Sequence, residues 1–246
     1  MTEARKSEHD HLSEARERLL DAALPHVVFD GWSKAALDAA TAESGVDPGL
    51  ARLALPRGGI DMVAAFHRRA DRRLAGELAG ADLATMRMRE RITHCVRRRI
   101  ELIAEQREAV RRGAALLALP IHAPEGARLV WETADIIWNA CGDTATDYNW
   151  YTKRMSLGAV YSATMLYWLG DASPGFANSW AFLDRRIDDV MRIEKAKARI
   201  EENPILRAAT WVPRQLLGLI RAPGAAGAPD ATGAPGEPGP GGPNAR

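Results

Sequence analysis

Cysteine is scarce in this chain: Cys95 and Cys141 are the two in 246 residues, far apart in sequence, with no CxxC spacing and no Cys/His cluster. That scarcity excludes a disulfide framework and a structural zinc site, and it suits a reducing compartment with both thiols as small core residues. Lysine is nearly missing too, 5 against 28 arginines. Neither sign of charge predominates, since Lys and Arg total 33, Asp and Glu total 32, and the formal net charge is +1. No global attraction to nucleic acid is therefore expected, and any electrostatic binding must be local. No window approaches 18 uninterrupted apolar residues, so no membrane-spanning helix is expected. β-Branched alternating runs are absent, which leaves nothing to read as strands.

Signatures of catalysis are missing as well. Glu8 and His11 are the one Glu/His pair at i,i+3 spacing, where a di-iron bundle requires such a pair on each of two facing helices, and no HExxH, P-loop, GxGxxG or GxSxG occurs. Glu90 and His94 stand at i,i+4 spacing, which suits a surface hydrogen bond better than half a metal site. No catalytic residue, metal or cofactor is expected.

What the chain does contain is helical periodicity, and the fold class it predicts is all-α. Residues 1–11, "MTEARKSEHDH", are polar with no apolar run, so neither a secretory signal nor a transit peptide is expected, and the stretch is read as disordered. A helix over about 12–29 follows, with Pro25 as a kink or early end. Ser33 caps a short helix, and Asp47 with Pro48 opens another that closes at Pro56. These three helices spell a helix-turn-helix-like unit over 12–59, and a larger bundle occupies 60–202. Within the bundle, helices are predicted over about 60–78, 83–117, 124–141, 145–169 and 176–201. The Gly, Pro and Ala of 222–246 are expected to form a disordered tail. A small helical unit before a larger bundle is the layout of TetR-type regulators.

The helix-turn-helix is a poor reader of DNA. From Ser33 to Gly59, Lys34, Arg52 and Arg57 are balanced by Asp38, Glu43 and Asp47, so phosphate binding would release few counterions. The candidate recognition helix, "DPGLARLAL", offers one arginine among Ala, Leu and Gly. The arginine-rich run over 87–112, spaced with Glu90, Glu101, Glu105 and Glu108, is read as an exposed face laced with i,i+4 pairs.

One turn stands apart: "TDYNWYTKR", residues 146–154, sets three large rings among Asp147, Lys153 and Arg154. With 100° per residue, Tyr148, Tyr151, Met155, Ala159, Ser162, Leu166 and Leu169 share one face, on which Tyr148 and Tyr151 are read as facing the bundle. Trp150, Leu157, Tyr161 and Trp168 share the other. Because the charges need water, the first turn is read as half core and half docking surface, with Trp150 projecting outward.

Three stretches carry a family resemblance: "DAALPHVVFDGWS" (21–33), "WNACGDTATDYNWYTKR" (138–154) and "DASPGFANSWAFLDRRIDDV" (171–190). Over about residues 15–200 the chain resembles the ninth-protein family of the coenzyme Q series, accessory lipid-binding proteins of ubiquinone biosynthesis. The resemblance implies a TetR-like fold that holds an isoprenoid lipid or quinone intermediate and assists the demethoxyubiquinone hydroxylase. It places the partner-docking residues at Trp138, Asp147, Trp150 and Tyr151. Candidate lipid-lining residues are Trp131, Ile136, Met155, Ala159 and Leu166; periodicity alone does not separate a lined cavity from a filled core.

The family also implies a terminal amphipathic helix, and residues 203–221 fit one on their own account. Ile205, Ala209, Val212, Leu216, Leu219 and Ile220 form an apolar face opposite Arg207, Arg214 and Arg221, with Trp211 at the border. Leu206, Arg207, Trp211, Arg214, Leu216, Leu217, Ile220 and Arg221 are the expected membrane contacts, though Pro213 should kink or split the helix. Packing of this helix on its own bundle is the alternative. The function expected is therefore a non-catalytic lipid carrier that meets a hydroxylase and a membrane surface, not nucleic acid, with a homodimer also allowed. A TetR-type repressor sensing an apolar ligand is the other reading. The arginine-rich composition suggests a bacterial cytoplasmic location, peripheral to the inner membrane.

Overall fold

The computed structural model describes residues 2–144 and 148–202, all of its regular elements helical. The first three helices are α1 (Thr2–Asp30), α2 (Lys34–Ser44) and α3 (Pro48–Ala54). Local chemistry sets their ends. The Ser33 hydroxyl accepts the Ala36 amide at 3.2 Å to cap α2, and Gly45 closes it at φ 66°, where a side chain would be strained. Asp47 accepts the amides of Gly49 at 2.8 Å and Leu50 at 3.0 Å, with Pro48 at the first position of α3.

Two expectations for the N-terminus need correction. The helix begins at Thr2, so the stretch read as disordered is helical; its Glu, Ala, Arg and Lys are strong helix formers. Pro25 lies inside α1 without ending it, on an exposed position where its ring meets water rather than the core.

Six further helices follow: α4 (Gly59–Ala79), α5 (Met88–Glu101), α6 (Arg107–Leu117), α7 (Ala123–Ala140), α8 (Tyr148–Gly170) and α9 (Ala177–Glu202). Where periodicity predicts one helix over 83–117, the chain forms a 3-10 turn at Leu83–Thr85, then α5, a second such turn at Ala104–Gln106, and α6. The break lets the sequence neighbours Leu102 and Ile103 both be buried. It also brings Arg107 to the end of α8, where its guanidinium donates to the carbonyls of Trp168 and Asp171 at 2.6 Å each.

One apolar core runs from Ala15 in α1 to Ile187 in α9, so the helix-turn-helix-like unit and the bundle share it. Trp32, in the link between α1 and α2, joins them. Its indole N–H donates to the Ala109 carbonyl at 2.9 Å, and its ring lies 5.4 Å from that of Phe66. No helix among the described residues is long and apolar enough to cross a membrane. Residues 203–221, including every expected membrane contact, and the tail 222–246 lie outside the described residues.

Candidate functional site

An apolar cavity of about 340 Å³ opens inside the bundle between α4, α5, α6, α7 and α8, walled by Val63, Phe66, Ile103, Val110, Val130 and Met165. A groove of about 460 Å³ adjoins it on the α7/α8 side and carries Trp131, Met155 and Ala159; Leu117, Gly126, Val130 and Ser162 line both spaces. Small residues shape this junction. A Cβ on Gly158 would stand 3.0 Å from the Val130 side chain, and one on Gly126 would stand 3.3 Å from Leu117. On another face of α8 a smaller groove of about 230 Å³ is lined by Met88, Ile92, Trp138, Leu157, Val160 and Met191, with Lys153 at its edge.

Four of the five residues expected to face a lipid meet one of the two joined spaces: Trp131, Met155 and Ala159 the groove, and Leu166 the cavity. Ile136 does not; five positions beyond Trp131 it points elsewhere on α7, packed against the core. The phase of α8 is the reverse of the expected one. Met155 is 61% exposed and Leu166 63%, whereas Leu157, Tyr161 and Trp168 are buried. Met155 and Ala159 thus look outward across the groove, and Leu157, Tyr161 and Trp168, on the face assigned to the outward Trp150, lie in the core.

Arg154 accounts for that reversal. Expected to keep its charge in water, it is 1% exposed. Its guanidinium donates to Asp135 at 2.6 Å, Asp143 at 3.0 Å, Asn139 at 3.2 Å and the Trp150 carbonyl at 3.2 Å. Lys153 adds a second cation to Asp143 at 2.7 Å. The Trp150 ring covers the guanidinium, 4.0 Å from its central carbon. Trp150 is thereby half-buried instead of projecting freely, and it sits edge-to-face with Tyr151 at 4.8 Å and 5.5 Å from Trp131. The two rings read as lying on opposite faces are on one side, while Tyr148, read as bundle-facing, is 41% exposed. Rings and charges share this turn because the rings roof a buried ion cluster. Of the other docking candidates, Trp138 donates its indole N–H to the Lys153 carbonyl at 3.0 Å and faces the smaller groove. Asp147 lies outside the described residues.

A second polar cluster sits beside the cavity, and sequence reasoning missed it. Arg99 and Asp71 pair at 2.7 Å, both buried. The Thr133 hydroxyl donates to Asp71 at 3.0 Å and lies 2.8 Å from Nε2 of His67; Arg99 also donates to the His67 carbonyl at 3.1 Å. The i,i+4 spacing of His67 and Asp71 was a signal within reach, whereas nothing marks Arg99 among the three successive arginines 97–99. Burial, with Arg99 and Arg68 nearby, holds His67 well below the ordinary value of 6.5, and burial pushes the Tyr161 phenol up to about 12. Both are neutral at pH 7. The unfolded chain takes up a proton near pH 6.5 and the folded chain does not, so stability present above that value is lost as the pH falls through it. Urea midpoints measured from pH 7 down to about pH 5 should fall more steeply for the wild type than for His67→Gln; parallel slopes would show that His67 does not carry the effect.

Cys95 and Cys141, remote in sequence, are both buried free thiols within hydrogen-bonding reach of each other. Among the described residues no group of three or more His, Cys, Asp or Glu is placed to hold a metal.

Comparison with known proteins places this geometry. Residues 123–194, which hold α7, α8 and the start of α9, match the COQ9 family model. The chain is 32% identical over 190 residues to "Ubiquinone biosynthesis protein COQ9, mitochondrial" of Drosophila melanogaster, covering 76% of this chain and 58% of the relative. It is 29% identical over 197 residues to the Homo sapiens protein of the same title, covering 76% and 62%. It therefore spans less than two thirds of the length of these curated relatives. Among solved structures it is similar to a TetR transcriptional regulator from Nitrosomonas europaea, with TM-score 0.58, 24% identity, and 70% of this chain and 95% of that chain covered. The fold is all-α and TetR-like, as expected. The bacterial cytoplasmic location inferred from arginine content is overturned, because the curated relatives are named mitochondrial; arginine content alone does not specify a compartment. The chain is thus similar to curated COQ9 proteins, with the family model matched over residues 123–194.

Proposed function

We propose that this chain acts in ubiquinone biosynthesis as a non-catalytic accessory protein that holds an isoprenoid quinone intermediate and presents it to the demethoxyubiquinone hydroxylase at a membrane. The observation that carries the reading is the apolar cavity joined to an outward groove at Leu117, Gly126, Val130 and Ser162; the names of the homologues support the pathway. A concave, mostly apolar space with a few placed polar groups is what a small hydrophobic ligand requires. The aromatic edge of Trp131, Trp150 and Tyr151 supplies rigid area with polar tips, suited to docking a protein partner. The terminal stripe of Arg207, Arg214 and Arg221 with its apolar counterface suits an anionic leaflet.

The repressor reading draws on the TetR-like fold alone. Against it, Lys34 is paired with Asp38 at 2.5 Å, and Arg57 with Asp61 at 2.6 Å and with Glu125 at 3.4 Å. Two of the three cations between Ser33 and Gly59 that a phosphate backbone would need are thus already engaged, which leaves Arg52. One experiment separates the readings. The purified full chain is extracted with organic solvent for mass spectrometry, then assayed for capture of the hydroxylase alongside Trp150→Ala. A co-purified isoprenoid lipid is expected, with hydroxylase affinity reduced about thirtyfold by Trp150→Ala, the ~2 kcal/mol typical of a central docking residue. No lipid together with tight duplex binding at physiological salt would overturn the carrier in favour of the repressor.

A further inference from the structure

Of the six buried polar side-chain atoms without a hydrogen-bond partner among the described residues, two belong to residues that line the cavity: Nη1 of Arg99 and the hydroxyl of Tyr161. Both residues are almost wholly buried, at 1% and 2% exposure, and both line the 340 Å³ cavity. They are neighbours, with the guanidinium carbon 5.9 Å from the Tyr161 ring centroid. Folded proteins seldom leave such donors unsatisfied in their cores, so a neighbouring pair beside an apolar space marks where a ligand atom would complete the bonding.

The charge balance selects the ligand. The charge of Arg99 is matched by Asp71 at 2.7 Å, and His67 and Tyr161, the other titratable groups at the cavity, are both neutral at pH 7. The polar end thus carries no net charge and two spare donors. A carboxylate or phosphate head entering here would bury a charge with nothing to balance it. A neutral oxygen acceptor takes both hydrogen bonds and adds no charge, while Val63, Phe66, Ile103 and Met165 receive the apolar ring that bears it.

We propose that Arg99 Nη1 and the Tyr161 hydroxyl together hold a neutral carbonyl oxygen of the bound lipid, so that the cavity selects carbonyl-bearing neutral heads over fatty-acid anions. This rests on the carrier reading above and adds an orientation to it: the head lies inside the bundle and the tail leaves through the groove past Leu166 and Ala159. Transfer to a partner then starts with the breaking of these two bonds.

The test uses the delipidated full chain, titrated separately with decylubiquinone and with laurate, for the wild type, Tyr161→Phe and Arg99→Lys. The wild type is expected to bind the quinone at least about tenfold more tightly than laurate. Tyr161→Phe should weaken the quinone about three- to tenfold, the range of one hydrogen bond, and leave laurate unchanged. Its melting temperature without ligand should hold or rise, because an unpartnered buried hydroxyl is gone. Arg99→Lys keeps a cation for Asp71 but withdraws Nη1, and should weaken the quinone likewise. Quinone binding unchanged in Tyr161→Phe, or equal wild-type affinity for laurate, overturns the anchor and leaves the carrier standing. A wild type that binds neither ligand brings down the carrier reading, and the anchor with it.

Discussion

Arg154→Met should lower the stability of the folded chain by about 3 kcal/mol, near the bottom of the ~3–5 kcal/mol that removing one member of a buried pair typically costs. The estimate follows from what is left behind. Asp135 is partly exposed and regains water, while Asp143, buried at its carboxylate, keeps Lys153 at 2.7 Å. Residual pairing therefore trims the penalty without removing it. Arg154→Lys retains the charge but not the planar fork that reaches Asp135, Asp143 and Asn139 at once, so an intermediate loss is expected. Urea unfolding followed by circular dichroism measures both. A loss below about 1 kcal/mol for the Met variant, the size of an exposed pair, would show that Arg154 is a surface residue after all.

The same chemistry runs through the molecule and explains a composition of 28 arginines to 5 lysines in structural terms. Arg91 donates to the carbonyls of Met86, Ala84 and Cys141; Arg107 and Arg111 together satisfy those of Trp168, Leu169 and Asp171 at the end of α8. A helix terminus needs such donors for its unpaired carbonyls, and a guanidinium can reach more than one. Read along the chain, the run over 87–112 suggests pairs within one helix face, and Arg97 with Glu101 is such a pair. Arg89, Arg91, Arg99 and Arg107 instead reach across to other elements. Helical spacing records neighbours on the same helix and is silent about partners far away in sequence.

That limit also divides what was legible from what was not. The helices predicted over 60–78, 124–141 and 176–201 correspond to α4, α7 and α9 within a few residues, because apolar spacing and Gly or Pro punctuation are local signals. The orientation of α8 was not legible, since rings and aliphatic residues lie all around it and the pattern has no phase. Asp135 and Asp143 set the phase by drawing Arg154 inward, and those contacts link α7, the following turn and α8. The polar end of the cavity was hidden for the same reason: Asp71, Arg99, Thr133 and Tyr161 come from four helices. Family likeness pointed to the α7/α8 region, which the COQ9 family model also matches, but it did not say that Trp150 roofs an ion cluster.

Gly59→Ala should destabilise the chain by about 3 kcal/mol, at or above the upper end of ordinary overpacking. Two effects oppose each other at this position. Alanine is the better helix former by up to about 1 kcal/mol, so at the start of α4 the substitution would stabilise if propensity governed. Yet a Cβ here would stand 1.9 Å from the Trp32 carbonyl oxygen and 2.8 Å from its carbon, and both are backbone atoms that no rotamer change can move. Relief requires the Trp32–Ser33 link to retreat from α4. That motion would stretch the 2.9 Å indole bond to Ala109 and open the packing of Trp32 against Phe66, the joint between the N-terminal unit and the bundle. Gly76, exposed in the same helix, is the control. Its Cβ would meet nothing within 4 Å, and Gly76→Ala should raise stability by up to about 1 kcal/mol. Opposite signs for the two substitutions, read as shifts in the urea midpoint, would establish that close backbone approach at Gly59 holds the unit on the bundle. A Gly59→Ala variant as stable as Gly76→Ala would mean that the joint yields freely and that Trp32 does not fix it.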